Sequence, residues 1–133
     1  MSRINKSKIL KTFNFQIQDF FKKIMVIFPK EDHIKSVNKI LETLCKYNPV
    51  KIIELWHYYI EIPYNTIIIS GDFNYFENKN YSSDVKDLKG NAEYVLECYD
   101  KLRLSISKMD NEHKNMAMKY IQILTKLSKL YHI

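Results

Sequence analysis

The sequence predicts an all-α protein: a single compact bundle of five to seven helices around a central apolar helix at about residues 49–62. Three observations lead there. The 133 residues include only two glycines and three prolines, too few for the many tight turns of a small all-β fold. Apolar residues recur at helical rather than alternating spacing through most of the chain. A chain of this length also matches one domain, able to bury roughly two-thirds of the surface its unfolded form exposes.

Each element follows from local signals. Residues 1–11 carry Arg3, Lys6, Lys8 and Lys11 and no acid, which predicts a basic, flexible N-terminal arm ahead of a helical domain over 12–133. From Phe13 the positions Ile17, Phe20, Phe21, Ile24, Ile27 and Phe28 keep helical spacing up to Pro29, a first amphipathic helix. Asp32 is a candidate N-cap for a second, lined by Ile34, Val37, Ile40, Leu41 and Leu44 to about Tyr47. Asn48-Pro49 starts the central helix, because Asn caps free N–H groups and Pro fits the first helical position. Pro63 is read as its stop, since the residue before a proline is pushed out of the helical region. On that helix Ile52, Ile53, Leu55, Trp56, Tyr59, Ile60 and Ile62 cover half or more of the circumference, leaving Lys51, Glu54, His57, Tyr58 and Glu61 on an outer stripe.

Tyr64 to Tyr81 is the least regular part, read as a short helix and turns in preference to a strand. Ser83 or Asp84 opens a long helical segment to about Met109, weakened at Gly90. Asp110 or Asn111 caps the last helix, whose Met116, Ala117, Tyr120, Ile123, Leu124, Leu127, Leu130 and Tyr131 fall within an arc of about 140°, opposite Lys114, Lys119, Lys126 and Lys129.

Several chemistries find no support. Glu54-x-x-His57 followed by Glu61 resembles half of a bundle metal site, but the second half is missing; a solvated surface pairing of His57 with Glu54 or Glu61 is the expectation, with no metal and no cofactor. Gly71 and Gly90 cannot build a phosphate-cradling loop, and Ser70-Gly71-Asp72 lacks the surroundings of a nucleophile elbow. His33, His57, His113 and His132 are scattered, so no catalytic residue is assigned and the leaning is away from an enzyme. Cys45 and Cys98 show neither metal-ligand nor disulfide-framework spacing and read as buried thiols. No apolar run reaches membrane-span length and no secretory leader is seen, which predicts cytoplasm, nucleus or the interior of a particle.

Two candidate binding surfaces remain. The net charge is +6, and basicity concentrates at the two ends of the chain. Arg3, Lys6, Lys8, Lys11, Lys22, Lys23, Lys119, Lys126 and Lys129 are the candidate nucleic-acid contacts, provided the two ends meet in space. Only Arg3 and Arg103 are arginines, so contact with phosphates is expected rather than reading of guanine edges. A and T codons alone can encode Lys, Asn, Ile and Tyr, which make up 58 of the residues, so genome composition also accounts for lysine excess. The second surface is aromatic: Tyr58, Tyr64, Phe73, Tyr75, Phe76 and Tyr81 are candidate protein-interface residues, or core.

Phe20-Phe21 with Ile27-Phe28-Pro29, Asn48-Pro49 ahead of Trp56, Pro63-Tyr64, Gly71-Asp72 with Tyr75-Phe76, and Tyr120 to Leu124 followed by Leu127-Ser128 occur in an order that resembles small uncharacterised proteins of large nucleocytoplasmic DNA viruses, the giant viruses among them. The resemblance spans about Phe13 to Leu130. It implies a viral setting, in the virion or a factory in the host cytoplasm, and carries no activity or site residues. The expectation is a non-enzymatic basic helical protein that binds nucleic acid or nucleoprotein non-specifically. The alternative is a protein-interaction module, either a host-directed adaptor or a self-associating virion component, working through residues 58–81.

Overall fold

The structure is a computed structural model that describes residues 5–71 and 104–133. Those residues are helical, with no strand among them, in a compact arrangement of five α-helices. They are α1 (Lys6–Ile27), α2 (Asp32–Tyr47), α3 (Lys51–Trp56), α4 (Ile62–Ser70) and α5 (Asn111–Tyr131), with a π-helical turn (His57–Glu61) joining α3 to α4. Residues 104–107 are also helical and lead through a turn into α5. The expected segment from Ser83 to residue 103, and Cys98 within it, lie outside the described residues.

Helix α1 begins at Lys6, not after the expected arm: Asn5 caps it by accepting from the Lys8 N–H at 3.1 Å. Ile4, Ile9 and Leu10 near the cap are interleaved with Lys6, Lys8 and Lys11, so hydrophobic spacing counted from Phe13 places the start too late. The helix ends at Ile27, two residues before Pro29, as the proline requires. Glu31 occupies the N-cap position of α2 and Asp32 its first turn, where a carboxylate complements the helix dipole. Asn48 closes α2 instead of opening the next helix, and its carbonyl accepts from Lys51 N–H at 3.1 Å; α3 therefore starts at Lys51.

Pro63 does not stop the central helix. A proline inside an α-helix lacks the N–H that would bond four residues back, and its ring crowds that carbonyl. Here the turn before it widens, and Ile62 N–H reaches His57 O, five residues back. The extra residue sets everything downstream back by about 100° relative to a regular helix. Tyr64 and Ile68 thereby fall in line with Trp56 and are buried, while Ile62 is 60 % exposed. Glu61 turns inward by the same slip. Gly71 ends α4 in the left-handed region (φ +74°), its N–H held by Ile67 and Ile68 carbonyls, the geometry that favours glycine after a helix.

The core lies where α1, α3 and α5 meet. Phe13, Ile24, Ile34, Ile53 and Leu124 are essentially fully buried, and Phe13 packs edge-on against Trp56 with ring centroids 6.0 Å apart. Trp56 donates its indole N–H to Thr125 Oγ at 3.0 Å. Asn14 donates to Pro49 O at 2.9 Å, tying α1 to the α2–α3 connection. Helix α5 is covered on two sides, by α1 and by the α3–π–α4 segment. Its buried face is rotated accordingly: Met118, Thr125 and Ser128 are inside while Ile123 and Leu130 are partly out.

Candidate functional site

Helices α1 and α5 run antiparallel along one seam. Lys6 Nζ sits 5.7 Å from the Tyr131 ring centroid at one end, Phe20 stacks on Tyr120 at 5.0 Å in the middle, and Lys22, Lys23, Val26, Ile27, His113 and Met116 line a shallow depression with Asp19 at the other. The basic ends of the chain therefore lie side by side. Helix α1 carries five lysines against Asp19 and α5 carries four against Glu112, a net +7 on the pair. From Asp32 to Ser70, four lysines (35, 39, 46 and 51) balance four acids (32, 42, 54 and 61).

With Phe20 and Tyr120 fixed face to face, helical rotation of about 100° per residue places the remaining side chains. Lys8, Phe15, Asp19, Lys23 and Val26 of α1 and Met116, Lys119, Ile123 and Lys126 of α5 fall on the side of the seam away from α3. Lys22, Lys11 and Lys129 sit further round on the flanks. Every candidate lysine among the described residues is exposed; Arg3 lies outside them. Apolar groups interleave with the charges, with Phe15 at 65 % and Val26 at 80 % exposure. Tyr120 donates its hydroxyl to Asp19 Oδ2 at 2.5 Å, and Lys23 stands 3.4 Å from the same oxygen. That hydroxyl, with Lys23 beside it, holds the Asp19 carboxyl below its ordinary range; burial and the Asp19 acceptor push the Tyr120 phenol up.

Of the candidate aromatic residues, the described ones divide between core and surface. Tyr64 is buried at 4 % exposure, carried inward by the π turn, whereas Tyr58 stays exposed. Phe73, Tyr75, Phe76 and Tyr81 lie outside the described residues.

A second cluster takes His57 and Glu61 from the half-site pattern in the sequence and adds His132, which that pattern did not include. Glu54 is exposed as expected, but His57 and Glu61 do not lie on a solvated stripe. Glu61 is buried and accepts from Ser128 Oγ at 2.7 Å, and His57 Nδ1 lies 3.0 Å from the same carboxylate oxygen. His132, from the end of α5, stacks flat on His57 with centroids 3.8 Å apart and planes 11° from parallel. His57, Glu61 and His132 can each bring a donor atom within 4.8 Å of the others. The available signal was a pair of polar i,i+4 couples, His57/Glu61 in the apolar central segment and Ser128/His132 at the end of α5.

Comparison with known proteins finds no matching family model, no matching curated protein and no matching solved structure. Among the described residues no helix is long and apolar enough to cross a membrane.

Proposed function

We propose that this protein binds nucleic acid, or nucleoprotein, non-specifically along the open side of the α1–α5 seam. The observation that carries the reading is the antiparallel pairing of α1 and α5, which gathers a net +7 on one pair while the described residues from Asp32 to Ser70 are neutral. Lysines in a row neutralise successive phosphates and release counterions, a sequence-independent source of affinity. Phe15, exposed among them, offers a face on which an unpaired base can stack. With two arginines in the whole chain, bidentate reading of guanine has little to work with. The resemblance to giant-virus proteins supplies the setting: packaging, or the viral factory.

The test is fluorescence anisotropy with labelled single- and double-stranded oligonucleotides of unrelated sequence. Four phosphate contacts give a slope of log K against log salt near −3.6 and a loss of about 100-fold between 50 and 200 mM. Absence of binding at 50 mM salt refutes the reading. Recovery of one defined protein partner whose binding ignores charge reversal at Lys119 and Lys126 favours the interaction-module alternative.

A further inference from the structure

The His57, Glu61 and His132 cluster is independent of the basic face and points to different chemistry. Two imidazoles and one carboxylate form the donor set typical of a zinc-class divalent ion. We infer that His57, Glu61 and His132 form a binding site for a first-row divalent transition metal, zinc above all, with the fourth position left to solvent or a ligand.

Three features of the geometry support this assignment. The first is the π turn, a rare element often retained where a helix must present particular side chains. Without it Glu61 would face solvent. With it, a carboxylate that is 8 % exposed meets a second helix, and a buried anion is costly unless a cation or donors answer it. The second is the role of Ser128, which is fully buried and holds two of the three side chains at once. Its hydroxyl donates to Glu61 Oε1, and its carbonyl lies 2.8 Å from His132 Nδ1. A carbonyl only accepts, so His132 carries its proton on Nδ1 and presents Nε2 as a bare lone pair. That is the arrangement by which a backbone carbonyl orients a metal-ligating histidine.

The third is distance. A tetrahedral ion with bonds of about 2.0–2.1 Å keeps its ligand atoms about 3.4 Å apart. His57 Nδ1 and Glu61 Oε1 are already at 3.0 Å. All the donor atoms lie within 4.8 Å of one another, and a tilt of His132, which follows the last residue of α5, can draw the set tighter where movement disturbs little packing. Both rings are partly exposed, so an ion enters without the bundle opening. A simple ion pair explains the His57–Glu61 contact but not the third donor held over it in a fixed tautomer.

The experiment uses the whole chain, stripped with a chelator and titrated with Zn2+ and separately with Co2+, followed by calorimetry and by the visible absorption of bound Co2+. The expected result is one equivalent bound, an intense low-symmetry Co2+ spectrum, and a rise in melting temperature with Zn2+. His132→Ala, at the helix end, keeps the fold and weakens binding at least 100-fold; Ser128→Ala weakens it by about 10- to 100-fold. Circular dichroism of each variant confirms that it is folded. If the wild-type chain binds neither ion, the inference is overturned. It is equally overturned if both His132→Ala and His57→Ala, still folded, bind as the wild type does, because the ion then sits elsewhere.

Discussion

Thr125→Val is the most direct probe of the centre of the bundle. The change is nearly isosteric, and Thr and Val have similar helix propensity, so what it removes is one acceptor. Trp56 is 9 % exposed and Thr125 3 %; with Oγ gone, the indole N–H 3.0 Å away is left buried without that partner. A buried donor stranded in this way costs about 1–3 kcal/mol, and the added methyl recovers less than 1 kcal/mol of that. A net loss of about 1 kcal/mol, over a urea dependence of about 2 kcal/mol/M, moves the unfolding midpoint down by about 0.5 M. The assay reports on the contact itself, because Trp56 is the chain's single tryptophan and its fluorescence follows unfolding. A midpoint unchanged or raised in Thr125→Val refutes the claim that this hydrogen bond fixes α5 against the central helix.

Further outcomes follow from other contacts. Gly71→Ala forces a Cβ into the left-handed region, where among the described residues the added atom meets nothing closer than Gln122 Nε2 at 3.8 Å; the expected loss is backbone strain of about 1 kcal/mol, or a melting temperature lower by roughly 3–5 °C. The Asp19 carboxyl sits below its ordinary value near 3.8, chiefly through the Tyr120 hydroxyl, so its stabilisation is present above that value and is lost as pH falls through the lowered one. The Tyr120 phenol sits above its ordinary value near 10.0, so its share is full below that pH and fades as pH rises beyond it; Tyr120→Phe flattens both limbs of the midpoint-against-pH curve while keeping the stack on Phe20. Lys119→Glu with Lys126→Glu weakens every oligonucleotide alike and reduces the salt slope by about 2 in anisotropy titrations.

What the sequence made legible is what local chemistry decides. Pro29 marked the end of α1, Asp110 the start of α5 through its contact with His113 N–H at 2.8 Å, and the helical spacing of Phe13, Ile17, Phe20 and Ile24 the face that α1 buries. The misreadings around Pro63 share one origin. Counting 100° per residue through Pro63 assumes a regular helix, and one widened turn was enough to send Glu61 and Tyr64 inward. The orientation of α5 was hidden for a different reason. Thr125 and Ser128 are buried because Trp56 and Glu61, 69 and 67 positions away in the chain, need partners, and no local pattern encodes that need. The charge at the two ends was readable; that the ends lie along one seam was not, because it depends on how α1 and α5 pair.

The same pairing shapes how the molecule is made. Asp19 and Tyr120 are 101 positions apart, and at about 5–20 residues per second a ribosome needs roughly 5–20 s to travel between them. Throughout that interval the stripe of Phe13, Phe20 and Ile24 has emerged without the helix that covers it. The packing of α1 is therefore completed only after synthesis of α5, and a nascent chain of this protein is a natural client for whatever chaperones wait at the exit tunnel.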